Sequence, residues 1–319
     1  ANEAPPAIIS VFLGEQLEDV IDQLVSTGEA THSLKGGKLE TSVRTLPDLM
    51  KDATDRNRTS PFAFTGNKFE FRMVGSRDSI ASANIVLNTI VAEAFSEACD
   101  VMEQADDVQK AIHDLIKEYA IENQKIIFNG DGYSQAWVEE AQRRGLPNIK
   151  CMVDAVPALV KPEAVEIFEK HGVYTKAEME SRAEVMYETY SKTINIEALT
   201  MIDMAKKQIV PATIKYQTSL AESVNAIKAA SSAVDTSVQE ALMADISTNL
   251  KDMYVALAHL EEVAGKAEAM EEGAEQGHYY HDVVFTAMDE LRKPADKLEM
   301  LVAKSAWPFP SYGDLIFEV

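Results

Sequence analysis

Asn67-Lys68-Phe69-Glu70-Phe71-Arg72-Met73 alternates strictly between polar and apolar side chains. In an extended strand successive side chains point to opposite faces, so Lys68, Glu70 and Arg72 share one face and Phe69, Phe71 and Met73 the other. The aromatic face is expected to be buried in a core. The opposite face carries a carboxylate between two cations, which suits either a salt-bridged surface or a site for a metal ion and an anionic substrate. Asp55-Arg56-Asn57-Arg58-Thr59-Ser60, a few residues upstream, favours the second reading. Its two guanidinium groups are rigid, permanently charged forks matched to phosphate oxygens. A pocket shared by that loop and the strand end needs a divalent metal to bridge phosphate oxygens, with Glu70 to hold it.

Working outward, Ala7-Ile8-Ile9-Ser10-Val11-Phe12-Leu13 reads as a buried strand ending at Gly14. Leu17, Val20, Ile21, Leu24 and Val25 then recur at helical spacing until Ser26-Thr27-Gly28. Residues 28–45 read as loop. Gly36-Gly37-Lys38 lacks the leading glycine and trailing Ser/Thr of a phosphate-binding loop, and Thr45 with Pro47 is a short-helix signal. This first section has α/β character.

Beyond Asn84 the pattern is almost wholly helical. One segment runs from Ile85 to Phe128 with a break near Gln104-Ala105, followed by a turn at Asn129-Gly130-Asp131-Gly132. Ser134 is placed to cap the next helix, which stops at Gly145 before Pro147. Pro157 and Pro162 delimit shorter helices. A long helix is expected from about Lys176 to Ala230, kinked or broken at Pro211. Asp235 caps another, whose Val238, Leu242, Ile246, Leu250, Met253, Leu257, Leu260 and Ala264 step by three or four residues. That stepping predicts a narrow stripe packed on another long helix. A last helix, His281–Lys304, precedes Trp307-Pro308-Phe309-Pro310, an aromatic tail expected to dock on the body. The fold class is therefore α+β and predominantly helical.

The formal net charge is −22, and only −3 of it falls in residues 1–80. An acidic balance of that size repels phosphate backbones and anionic lipid, so no nucleic-acid and no membrane partner is expected. No apolar run is long enough to span a bilayer, and Ala1-Asn2-Glu3-Ala4-Pro5-Pro6 has no signal-peptide pattern; without an initial Met it reads as the middle of something. Cys99 and Cys151 fit reduced core residues of a cytoplasmic protein. His278 and His281 lie one helical turn apart, but with no third ligand nearby they are not read as a metal site. The acidic run Glu268–Glu275 reads as a solvated face.

Asn2-Glu3-Ala4-Pro5, then Asn57-Arg58, then Lys68-Phe69-Glu70-Phe71-Arg72 occur in the order found at the end of the catalytic domain of glutamine synthetases. The run Asp55 to Ser76 most resembles the large type III branch, and the helical remainder resembles that branch's C-terminal extension as far as Gly313-Asp314-Leu315. The resemblance covers essentially the whole chain but only the C-terminal half of such an enzyme. It implies that residues 1–95 finish a catalytic barrel, with 14–54 an insertion, and that 96–319 form a long-helix bundle.

It also implies roles residue by residue. Glu3 matches the flap glutamate that takes a proton from ammonium. Arg58 matches an arginine on the nucleotide phosphates and the transferred phosphoryl group, and Glu70 a ligand of the metal near the γ-phosphate. Arg72 matches the arginine beside substrate glutamate and its acyl phosphate, and Lys68 stands where many relatives use an arginine near the nucleotide. Relatives carry a second arginine five positions after the one matched by Arg58; Ala63 stands there, with Arg56 as the candidate substitute. The implied activity is ATP- and Mg- (or Mn-) dependent ligation of ammonium to glutamate by a cytoplasmic, ring-forming homo-oligomer. The family's other metal glutamates and its histidine ligand belong upstream of the Glu3 motif, so the isolated chain is expected to be inactive, since one carboxylate holds a divalent ion weakly. The rival reading from another class is a non-catalytic helical scaffold or oligomerisation module, motivated by the stripe from Val238 to Ala264. A related carboxylate–amine ligase or phosphagen kinase is a further rival, which the run from Asp55 to Ser76 argues against.

Overall fold

In the computed structural model, which describes residues 8–33, 38–39, 49–50, 59–72 and 79–317, the chain divides into two compact units, 2–179 and 180–319. The first opens with Val11–Phe12 (β1). At once the chain turns into helix Gly14–Thr27 (α1). That abrupt corner places Gly14 at φ +77°, a left-handed conformation that costs glycine little and other residues more. The apolar positions of α1 are half-buried. Gly28 closes the helix, its N–H donating to the Leu24 carbonyl at 3.1 Å.

Lys38–Leu39 (β2) pairs antiparallel with Leu49–Met50 (β3), so part of the stretch expected to be loop is a short ladder. Phe62–Phe64 (β4) and Phe69–Phe71 (β5) form a hairpin. β4 also runs parallel to β1, which gives the order β1-β4-β5. Gly66, at φ +96°, supplies the tight reversal that pairs Phe62–Phe64 with the alternating strand. Thr45 and Pro47 lie outside the described residues.

Helices Ile80–Glu103 (α2) and Val108–Glu122 (α3) follow, broken at the expected place. Ser79 caps the first and Asp107 the second, each accepting a first-turn N–H. After a 3₁₀ turn at Gln124–Ile126, Gln135–Arg143 (α4) starts at Ser134, whose hydroxyl accepts the Trp137 N–H at 3.2 Å. Ile8, Trp137, Ala141 and Leu146 make a buried cluster, with Phe128 stacked on Trp137 at 4.0 Å between centroids. Met152–Ala155 (α5) and Pro162–Lys170 (α6) complete this part, and Val165, Phe168 and Met179 form a second small cluster. Cys151 is buried, but Cys99 is exposed on α2, so only one of the two cysteines is the core residue expected.

Lys176–Met204 (α7) continues without a break into Val210–Ala230 (α8). The expected disruption at Pro211 is absorbed by a π turn at Ala205–Ile209. Proline lacks the N–H for an i→i−4 bond and its ring crowds that carbonyl, so widening the preceding turn relieves both problems. Ser237–Glu268 (α9) begins where the Asp235 carboxylate accepts the Ser237 N–H at 2.8 Å. Ile246, Met253, Leu257, Leu260 and Ala264 of the predicted stripe are buried, while Val238 is exposed. Ala274–Tyr279 (α10) runs through a second π turn at Tyr280–Val284 into Phe285–Leu301 (α11), an unbroken helical run that contains most of the expected last helix and starts before it. The stripe on α9 meets both α8 and α11 rather than one partner, around a core that includes Ile194, Ile209, Tyr280, Val284 and Leu291. Trp307 and Phe309 pack on this core, as expected of the tail, before the short helix Tyr312–Phe317 (α12).

Candidate active-site wall on the β4–β5 hairpin

β5 brings Lys68, Glu70 and Arg72 together as the alternation predicts. The Arg72 guanidinium Nη2 donates to Glu70 Oε2 at 3.0 Å, and Lys68 Nζ lies 3.5 Å from Glu70 Oε1. The Arg72 hydrogen bond, reinforced by Lys68, holds the Glu70 carboxyl below its usual range, so it is ionised at neutral pH. The Arg72 backbone N–H donates to the Pro61 carbonyl at 2.8 Å, which fixes the strand end against the entry to β4.

Burial runs opposite to the expectation. Directly paired residues share a face of a sheet, and the register aligns Phe12 with Ala63 and Ala63 with Glu70. Phe12 and Ala63 are each 1% exposed, so the charged face of β5 continues a buried row. Phe69 and Phe71, expected to be core residues, are 54% and 39% exposed. They pack instead on Phe64 and Phe62 across the hairpin, at 5.3 and 4.9 Å between centroids. The cause is topological: β5 is the edge of this sheet, and its aromatic side finds only the hairpin partner among the described contacts. Ala63, at the position where the resemblance leads one to look for an arginine, is only 1% exposed.

Glu3, Arg56 and Arg58 lie outside the described residues, as does Met73. The structure therefore assembles Lys68, Glu70 and Arg72 and says nothing of the other three site positions. An ionised carboxylate is the right donor type for a hard divalent cation, but no group of three or more candidate ligands gathers among the described residues. Glu70 could hold such an ion only alongside oxygen ligands from elsewhere.

One element the sequence reading passed over as a plain turn is built into this wall. Asn129 Oδ1 accepts the N–H groups of Leu13 and Gly14 at 2.9 and 3.1 Å, while its amide donates to Glu18 Oε2 at 2.5 Å. Val11 forms a parallel bridge with Ile127, and the Phe128 N–H donates to the Val11 carbonyl at 3.0 Å. The Gly132 N–H donates to Thr59 Oγ1 at 2.8 Å. The turn signature Asn-Gly-Asp-Gly was visible, but a partner more than seventy residues away leaves no trace in local pattern.

Among the described residues no helix is long and apolar enough to cross a membrane. A family model described as the glutamine synthetase C-terminal domain matches residues 111–228. A glutamine synthetase of Butyrivibrio fibrisolvens is 36% identical over all of this chain and 45% of its own length. A type-3 glutamine synthetase of Dictyostelium discoideum is 35% identical over 99% of this chain and 44% of its own, and a glutamine synthetase of Bacteroides fragilis 34% identical over 99% and 45%. The chain thus spans less than half the length of these relatives. With similarity that extends over essentially the whole chain and a family-model match inside its helical part, the chain belongs to the glutamine synthetase family and resembles a C-terminal portion of its type 3 members.

Proposed function

We propose that this chain supplies one wall of an ATP-dependent ligase that joins ammonium to the side-chain carboxylate of glutamate. The observation that carries the reading is the ionised Glu70 held between Lys68 and Arg72 on the hairpin face that continues the buried row of Phe12 and Ala63. In the reaction the glutamate carboxylate attacks the γ-phosphorus of ATP and ADP leaves. Ammonia then attacks the acyl carbon of γ-glutamyl phosphate and inorganic phosphate leaves. Arg58 contacts the nucleotide phosphates, with Lys68 and Arg56 beside the nucleotide. Arg72 opposes charge as it grows on the acyl phosphate, the kind of preorganised cation that such a transfer needs. Glu3 takes the proton that ammonium must lose to become a nucleophile. Glu70 is a ligand for Mg or Mn, which when bound supplies positive charge to the phosphoryl oxygens.

Residues 1–95 would complete the catalytic barrel, with 14–54 an insertion, and 96–319 would form the helical domain. The whole enzyme would be a cytoplasmic ring-forming oligomer. Alone, the chain would be inactive, because Glu70 needs companion ligands. The test is Glu70→Ala in a complete enzyme that contains this chain, assayed by γ-glutamyl hydroxamate formation with size-exclusion chromatography alongside. Loss of activity with intact assembly is expected, and undiminished activity would refute the metal assignment. A second reading, a non-catalytic helical assembly module, draws on the stripe of α9 and its packing on α8 and α11. It is compatible with the first and predicts that changes on 96–319 alter assembly before they alter chemistry.

A further inference from the structure

We propose that Thr59 and Gly132 are positioning residues for the arginine side of this site, a role that rests on the ligase reading above. Thr59 directly follows Arg58 in the chain and stands two residues before Pro61, whose carbonyl accepts the Arg72 N–H. Its hydroxyl oxygen accepts the Gly132 N–H at 2.8 Å. The approach is close at the backbone as well: a Cβ at position 132 would lie 2.5 Å from the Thr59 carbonyl oxygen. Glycine is therefore required there by contact rather than by dihedral angle.

The turn that bears Gly132 is itself rigidly held. Asn129 clasps the backbone of Leu13 and Gly14, and Tyr133 N–H donates to Asp131 Oδ1 at 2.9 Å. Ser134 Oγ donates to the Asp131 carbonyl at 2.7 Å, and Phe128 is stacked on the buried Trp137. On its other side the Thr59 segment is seated by Ser60, 2% exposed, whose hydroxyl lies 3.1 Å from the Ser10 carbonyl and 2.9 Å from that of Phe62. A segment from beyond residue 120 thus fixes the strand entry that directly follows Arg58 in the chain and that holds the Arg72 backbone through Pro61. Phosphoryl transfer tolerates little misplacement of its cations, since an error of about 1 Å can cost on the order of a hundredfold in rate.

The test compares Thr59→Val, Thr59→Ala and Thr59→Ser in the complete enzyme, with kcat and KM measured separately for ATP, glutamate and ammonium. Loss of the acceptor in the Val and Ala variants should lower kcat/KM for ATP by about tenfold or more. KM for ammonium should stay within about twofold, and Thr59→Ser, which keeps the hydroxyl, should restore near-normal values. Val and Ala variants with unaltered kcat and KM for ATP would overturn the proposal, as would a Ser variant that fails to rescue. If neither Val nor Ala folds, or if they lose only thermal stability, the contact is structural and the proposal also falls. Glu70→Ala, run in parallel, separates this failure from failure of the ligase reading: an active Glu70→Ala enzyme sinks the reading, an inactive one isolates the fault to Thr59.

Discussion

Glu70 stands directly across the β4–β5 ladder from Ala63, and Ala63 is the buried member of the pair. The charge on Glu70 is thus carried on the face of the sheet that continues into buried side chains, although the carboxylate itself keeps contact with solvent. A charged side chain placed there but still wet contributes little to folding, because exposed ion pairs are offset by hydration and lost side-chain entropy.

That placement separates structure from chemistry. Glu70→Gln keeps the shape and a hydrogen-bond acceptor for Arg72 but removes the charge. Its melting temperature should stay within about two degrees of the parent. Ligase activity of the complete enzyme should fall by about a hundredfold or more, since a neutral amide is a poor ligand for a hard cation. A melting curve and a hydroxamate assay on the same preparation decide it. A large thermal loss with retained activity would make the Lys68–Glu70–Arg72 set a structural device.

Gly132→Ala tests the close approach beneath Thr59. The new methyl would sit 2.5 Å from a backbone carbonyl oxygen, which cannot rotate away as a side chain could. Overpacking of this kind costs about 1–3 kcal/mol. Urea melts should show a lower midpoint with an unchanged slope. Gly145→Ala is a useful contrast: nothing would meet its Cβ, so any cost there reflects its φ of +70° alone.

The limits of sequence legibility follow from which forces are local. Ser134 as a cap, the break after Gln104 and the α9 stripe were readable, because capping and 3/4 periodicity are written in neighbouring residues. Alternation correctly put Lys68, Glu70 and Arg72 on one face. It could not say which face would be covered, because that depends on β5 being a sheet edge and on β4, a strand the pattern did not announce. The π turn before Pro211 was hidden for a related reason: proline signals that a helix has a problem, while the surrounding packing decides whether it kinks, stops or widens. Asn129 and Gly132 carried only a turn signal, and their role is defined by partners at Gly14 and Thr59.

The join between α2 and α6 should respond to acid. Glu93, whose side chain is 15% exposed, lies 2.6 Å from Lys170 Nζ and 2.7 Å from His171 Nε2. The Lys170 hydrogen bond, then that of His171, lowers the Glu93 pKa below 4.5, and Glu93 in turn raises that of Lys170. A carboxyl whose pKa is depressed on folding contributes stability that is full above its unfolded value and is lost as pH falls through the folded one. Melting temperatures of the parent and Glu93→Gln should therefore differ near neutrality, and the difference should shrink below about pH 4.5 and vanish in stronger acid. A gap that persists at pH 2 would mean that Glu93 acts through packing, not charge.

The stripe on α9 yields the sharpest energetic contrast, because one periodic pattern contains both core and surface positions. Leu260 is fully buried among residues of the core shared by α8, α9 and α11, whereas Val238 is 76% exposed at the helix start. Leu260→Ala removes several buried methyl and methylene groups and leaves a cavity that rigid neighbouring helices close only in part, a loss of about 2–5 kcal/mol. Val238→Ala removes atoms already in water and gains slightly in helix propensity, so its effect should lie within about 0.5 kcal/mol. Both are read by chemical denaturation monitored through far-ultraviolet circular dichroism. If the two substitutions cost the same, α9 does not bury the face that its spacing and these contacts assign to it. If Leu260→Ala also dissociates a complete enzyme at concentrations where Val238→Ala leaves it assembled, the assembly role of this helical region gains support.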